Sequence, residues 1–175
     1  LNVVSGPAMP VGRLVNNDAT LSILQVRFEA GPGEPVDING FTVEAGGTGN
    51  DQTALAGVTF HFDNNSNGFL DAGDSSLAGP FTFGSNDGLL SVNSPFTVNE
   101  NDSVDIIAVY EFNGTAQPGE DFGLGLLVNT VLAQGQNSSQ SLQVFGSDVF
   151  GPLMLISDNH VLLPGPAMLP DQNIS

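Results

Sequence analysis

Apolar and polar residues alternate along this chain in short runs, and Gly, Pro, Asn, Ser and Thr punctuate them throughout. Leu21-Ser22-Ile23-Leu24-Gln25-Val26-Arg27-Phe28-Glu29-Ala30 has the period of a half-buried strand, and Gly31-Pro32-Gly33 closes it. Val36 to Glu44 repeats the pattern, as do Val58-Thr59-Phe60-His61-Phe62, Ser75 to Phe83, Leu89 to Val92 and Phe96-Thr97-Val98. Val104 to Phe112 has the least polar interruption, which places it in the middle of a sheet. Later strands are expected at Phe122 to Asn129, Ser141 to Phe145 and Val149 to Ile156, with turns at 46–52 and 113–121. The opening segment, Leu1 to Val15, reads as an extended or edge strand because Pro7 and Pro10 cannot serve a central ladder. No window of helical length keeps apolar residues at 3.6 spacing without a Gly or Pro. About nine or ten such strands predict an all-β, two-sheet antiparallel sandwich, with a jelly roll as the alternative.

One stretch carries more chemistry than the rest. In Asp63-Asn64-Asn65-Ser66-Asn67-Gly68-Phe69-Leu70-Asp71-Ala72-Gly73-Asp74, oxygen-bearing side chains fall at positions 1, 3, 5, 9 and 12, with glycine at 6 and an apolar residue at 8. This is the ligand spacing of a twelve-residue calcium loop. Asp63, Asn65, Asn67, the Phe69 carbonyl, Asp71 and Asp74 are therefore the expected ligands of one Ca2+. Gly68, lacking a Cβ, permits the sharp turn. The bland alternative is a polar turn, which Asn, Asp and Gly make without metal. Asp at position 12 is shorter than the usual Glu, so the loop closes less tightly on the ion. Strands rather than helices flank the loop, so a helix-opening sensor is excluded and a structural calcium is expected.

The strand Leu21 to Ala30, the segment Val36-Asp37-Ile38-Asn39-Gly40-Phe41-Thr42-Val43, the turn Gly47-Thr48-Gly49-Asn50-Asp51 and the run Val58 to Asp74 together resemble a family of prokaryotic cell-surface modules. In these an immunoglobulin-like β-sandwich carries a D-x-N-x-N-G-x-x-D-x-G-D loop. Ile106-Ile107-Ala108-Val109-Tyr110-Glu111-Phe112 and the turn after it fit the same pattern. The resemblance covers about residues 11–156. It implies an immunoglobulin-like fold and an extracellular, non-enzymatic, calcium-stabilised module.

Charge narrows the partners. The chain has 19 Asp and Glu against only Arg13 and Arg27, no Lys, and a formal net charge of −17. Nucleic acid and anionic membrane surfaces both demand cationic contacts, so neither is an expected partner. No apolar run reaches the length of a membrane span. Cysteine is absent, so no disulfide staples the fold. The start at Leu1 predicts a mature product whose leader has been removed. His61 and His160 are the only histidines, and no constellation of nucleophile, base and orienting group is present, so no enzyme is expected. Sequons at Asn64, Asn101, Asn113, Asn137 and Asn173 are candidate glycan acceptors.

Residues 1–156 thus read as one sandwich domain, and 157–175 as an extended tail. The tail holds Val161-Leu162-Leu163-Pro164-Gly165-Pro166-Ala167-Met168, which echoes Val3-Val4-Ser5-Gly6-Pro7-Ala8-Met9 at the start. Two equivalent edge segments, one used within a subunit and one donated to the next, would join copies head to tail. Val161, Leu162, Leu163 and Met168, with Val3, Val4 and Met9, are the expected joining residues. The expected function is a secreted structural protein, a calcium-stabilised subunit of an extracellular filament or surface layer. The alternative is an adhesive or carbohydrate-binding module of a larger cell-surface protein. The absence of Trp and the single Tyr count against sugar stacking.

Overall fold

The computed structural model describes residues 1–157. The strands are β1 (Asn2–Ser5), β2 (Leu14–Val15), β3 (Thr20–Glu29), β4 (Val36–Gly47), β5 (Leu55–Phe62), β6 (Ser75–Phe81) and β7 (Leu89–Val92). They continue as β8 (Phe96–Val98), β9 (Ser103–Phe112), β10 (Asp121–Gly135), β11 (Phe145–Gly146), β12 (Val149–Phe150) and β13 (Met154–Ile156). One short helix, α1 (Asp51–Ala54), precedes β5. The first sheet has the order β11-β1-β3-β9-β5-β6 and the second β2-β13-β10-β4-β7, with β12 beside β10 and β8 beside β4. The fold is an all-β sandwich of two sheets. Pairing is antiparallel except at β1–β11 and β2–β13, where segments from opposite ends of the chain meet in parallel.

The least interrupted strand, β9, lies between β3 and β5, where both faces are covered. Phe28, Phe41, Phe60, Tyr110 and Phe122 fill the space between the sheets and are almost wholly buried. Tilted and edge-to-face ring contacts link them, such as Phe41 to Phe60 at 5.6 Å and Phe112 to Phe122 at 5.0 Å between centroids.

Several local features differ from the sequence reading, and the strand expected at Ser141 to Phe145 is reduced to a single bridge from Ser141 to Gln134 and the first residue of β11. β10 continues past Asn129 to Gly135, because the Thr130 hydroxyl accepts the Thr42 N–H (2.8 Å) and donates to the Leu127 carbonyl (2.7 Å) across a register shift. The apparent strand end at Asn129-Thr130 is a bulge. Between 46 and 52 the expected turn runs into α1, capped by the Asn50 side chain accepting from the Thr53 N–H. Val149 to Ile156 splits into β12 and β13 at Gly151-Pro152, since proline has no N–H for the ladder.

Candidate metal centre

On β3 the residues Gln25 and Arg27 alternate with core-facing Val26 and Phe28, and on β9 Ile107 and Val109 alternate with Ile106, Ala108 and Tyr110. An open sheet face would leave the first set in water. Instead Gln25 and Ile107 are fully buried. The cover consists of residues 6–9 and the loop 63–74. Gln25 binds both: its Oε1 accepts the Ala8 N–H (2.7 Å), and its Nε2 donates to Asp63 Oδ2 (2.6 Å). The Leu70 N–H donates to the Ser22 hydroxyl (3.0 Å), and the Asp63 N–H to the Asp105 carbonyl (2.9 Å).

A second tether is ionic. Arg27 and Asp105 stand directly opposite in the β3–β9 register, and the guanidinium grips both carboxylate oxygens at 2.7 Å. This bond raises the Arg27 pKa further, against the opposing effect of burial. The Ser66 hydroxyl donates to Asp105 Oδ2 at 2.5 Å, so the loop is also fixed to the ion pair. Gly68 has φ +78°, and any Cβ there would run into the Ala8 carbonyl. The loop is thus held on rigid strands rather than left free in solvent.

Within the loop, the six residues expected as ligands are brought into one connected set of bonds. Asp63 is buried, its Oδ2 accepting from Gln25 and the Gly68 N–H (2.8 Å), its Oδ1 from the Asn67 N–H (3.1 Å). Asp71 Oδ2 accepts from the side-chain amides of both Asn65 and Asn67, each at 2.8 Å, and Oδ1 from the Gly73 N–H at 2.7 Å. The Gly73 bond first, then the two amides, hold the Asp71 carboxyl below its usual range. Asp74 accepts the Asp71 N–H (2.9 Å) and the Asn64 N–H (3.1 Å), closing the loop on its own start. Phe69 donates its N–H to Asn67 Oδ1 (2.7 Å), with its ring exposed.

The donor set fits a hard cation in one specific sense. Two amides converge on a single carboxylate oxygen, and a half-turn of each would exchange NH2 for oxygen there, giving up the bonds that Asn67 Oδ1 accepts from the Phe69 N–H and Asn65 Oδ1 from the Asn67 N–H. Asn65, Asn67 and Asp71 would then offer three oxygens to one point. Among the described residues no three His, Asp or Glu side chains come close enough to hold a metal by themselves. A cation in this loop would lean on amide and carbonyl oxygens, the ligands that suit Ca2+ rather than a transition metal.

His61 is half-buried and shares a 3.0 Å hydrogen bond with Thr59, and burial lowers its pKa. The sequon residues Asn64, Asn101, Asn113 and Asn137 are all exposed, Asn64 and Asn113 with side-chain N–H groups donated to the Gly73 and Thr53 carbonyls. Val3 lies inside the core as part of β1, and Val4 and Met9 are half-buried, the Met9 sulfur accepting the Gln25 N–H (3.4 Å). Val161, Leu162, Leu163, Met168, His160 and Asn173 lie outside the described residues.

Sequence reasoning did not single out Gln25, Ser22, Ser66 or the Arg27–Asp105 pair as supports of the loop. Arg27 carried a usable signal, being one of two bases in a chain rich in acids. Gln25 carried none, because a polar residue at alternate positions on a strand reads as solvent-facing.

No protein-family model matches the chain, and no curated protein matches its sequence. Solved structures to which the chain is similar include the third cohesin of ScaC in complex with the ScaB dockerin from Acetivibrio cellulolyticus, at 11% identity and a TM-score of 0.42, covering 90% of this chain and 99% of that one. AvmM, which catalyses macrocyclisation in alchivemycin A biosynthesis, matches at 12% identity and a TM-score of 0.40, covering 93% of each chain. The CaDoc0917–CaCohA2 complex matches at 11% identity and a TM-score of 0.36, covering 86% of this chain and 99% of that one. At these identities and scores no property of those proteins transfers to this chain.

Proposed function

We propose that this chain is a non-catalytic structural module of a secreted or cell-surface assembly, stabilised by Ca2+ in the 63–74 loop and joined to copies of itself through its tail. The observation that carries the calcium part is the convergence of Asn65, Asn67 and Asp71 on one point, in a loop whose first carboxylate is anchored to β3 through Gln25. Affinity in the weak range of extracellular modules, about 10⁻⁴ to 10⁻³ M, matches a short Asp at position 12. The ion would stiffen the cover over the first sheet, and with it the seating of residues 6–9 at Gln25.

The joining part rests on a gap at a sheet edge. β11 pairs with β1 only at Asn2 and Val3, after which the chain crosses to β12 in the other sheet. The departure leaves a hollow of about 510 Å³ lined by Val3, Val4, Ser5, Gly146 to Val149 and Phe150. An extended segment laid beside Val4 and Ser5 would gain main-chain hydrogen bonds there. The proposed occupant is the 161–169 segment of the neighbouring copy, whose apolar side chains would meet Val4 and Phe150 in a lining that also includes Ser5, Ser147 and Asp148. Such a contact does not close on itself, so it builds a fibre.

Electron microscopy of the purified chain, with calcium and with excess EDTA, tests both parts. Filaments that shorten in EDTA and vanish on deletion of 158–175 support the reading. Dispersed particles at high concentration in calcium overturn the polymer. A melting temperature indifferent to EDTA overturns the calcium.

A further inference from the structure

A second acidic cluster lies at the opposite end of β5 from the loop. Asp51, the first residue of α1, is 1% exposed, and its Oδ1 has no hydrogen-bond partner. Its Oδ2 accepts the Asp87 N–H (3.3 Å), and its own N–H donates to Asn86 Oδ1 (3.1 Å). Asn86 donates in turn to Asp87 Oδ2 (3.0 Å), and Gln52 reaches the Gly84 carbonyl (2.8 Å), so the 84–88 turn is laced to α1. Asp87 adopts φ +48°, a conformation that costs a non-glycine residue energy and brings its N–H onto Asp51.

Two carboxylates therefore share this corner, and among the described residues no Arg side chain pairs with either of them. Arg27 is held by Asp105, and Arg13 precedes β2, where its carbonyl accepts the Leu155 N–H. Burial pushes the Asp51 carboxyl up to about 6, and the Asp87 charge adds to the shift while the Asp87 N–H opposes it. At neutral pH the group is a mostly ionised, buried carboxylate with a bare oxygen. A proton would remove the charge but leave an O–H with no acceptor. A bound cation satisfies the charge and the bare oxygen together.

We propose that Asp51 and Asp87 hold a hard divalent cation of the Ca2+ class, which pins the 84–88 turn against α1. Asp51 supplies the buried oxygen, Asp87 the exposed carboxylate, and water completes the shell. This site is separate from the 63–74 loop, and either can bind without the other.

Tyr110 makes the site testable on its own. It is the only tyrosine, the chain has no tryptophan, and the Tyr110 phenol, raised mainly by burial, is raised further by the Asp51 charge. The 63–74 loop instead meets β9 at Asp105, about 16 Å further along the strand by its rise per residue. Tb3+ replaces Ca2+ in oxygen sites and luminesces when excited through a nearby tyrosine. The full chain, excited at its tyrosine band, is expected to sensitise Tb3+, with Ca2+ competing. Asp51→Asn and Asp87→Asn should each cut the signal at least tenfold, while Asp71→Ala leaves it intact. Asp87 is exposed, so its variant keeps the test alive if Asp51→Asn fails to fold. Retained luminescence in Asp87→Asn, its loss only in Asp71→Ala, or its absence from the unaltered chain overturns the proposal. Calorimetry with Ca2+ alone should lose one equivalent per chain in Asp87→Asn, whether or not the 63–74 loop binds.

Discussion

Strand β5 has a buried aspartate at each end, and the two are treated differently. Asp63, just after Phe62, is 4% exposed and accepts three N–H groups, from Gln25, Asn67 and Gly68. Asp51, four residues before Leu55, is 1% exposed and accepts only the Asp87 N–H. The contrast follows from what covers each. Main chain from the loop and a side chain from rigid β3 close over Asp63, and both bring donors. The short 84–88 turn packs against Asp51 and brings one donor, the Asp87 N–H, to two oxygens. A buried carboxylate with its donors in place is part of the fold. One without them is a demand for something else.

The comparison breaks most visibly by neutralising each aspartate in EDTA. Asp63→Asn turns an acceptor into a partial donor facing Gln25 and the Gly68 N–H. Losing charge-assisted bonds of about 1.5–3 kcal/mol each should lower stability by roughly 3–5 kcal/mol. For a chain of this size the melting temperature should fall by about 10 °C. Asp51→Asn removes an unsatisfied buried charge and should instead raise the metal-free stability, by about 1–3 kcal/mol, and the melting temperature with it. Opposite signs in one calorimeter support the contrast; a loss of stability in both variants ends it.

Calcium should reverse the second half of that experiment. At a hundredfold excess over its dissociation constant, one bound ion adds about 2.7 kcal/mol to the folded state. Thermal melts of the unaltered chain in calcium and in EDTA should therefore differ by several degrees. In calcium the Asp51→Asn gain should vanish, because the variant no longer holds the ion that stabilises its parent. Asp71→Ala should lose the loop's share of the calcium shift and keep the share due to Asp51 and Asp87. A calcium shift unchanged in both variants would place any binding elsewhere.

Much of this architecture was legible before the fold was seen, and the parts that were not share a cause. The alternation along Leu21 to Ala30 and the unbroken apolar run of β9 announced themselves because period two and burial on both faces are local properties. The twelve-residue loop was visible because its run of Asp, Asn and Gly is recognised by spacing alone. The Gln25 contact, the Arg27–Asp105 pair and the orphaned Asp51 oxygen depend instead on which strands lie side by side. Arg27 and Asp105 are 78 residues apart and meet only through register. Asp51 sits in a Gly- and Asn-rich stretch that reads as an open turn, and nothing nearby in sequence says that it will be 1% exposed with its charge acting on Tyr110. The bulge at Thr130 was hidden for a related reason: a hydroxyl standing in for a ladder group looks, in sequence, like the end of a strand.

Glu34 sharpens the comparison from the exposed side and gives the smallest effect. Its carboxylate accepts the Ser138 hydroxyl (2.6 Å) and the N–H groups of Ser138 and Asn137 (2.8 Å each), a donor count like that of Asp63, but in water. The Ser138 hydroxyl first, then the backbone donors, hold its pKa below the ordinary 4.5. Because the folded value lies below the unfolded one, the stabilisation is present above pH 4.5 and is lost as pH falls through the folded value. Solvent competes for every one of these bonds, so the global melt should hardly register Glu34→Gln. The effect should appear locally, as lower amide protection factors at Asn137 and Ser138 that in the variant no longer fall as the pH is lowered. If donors alone set the worth of a carboxylate, Glu34→Gln would cost as much as Asp63→Asn. A cost far smaller, with the same number of donors, would assign the difference to burial.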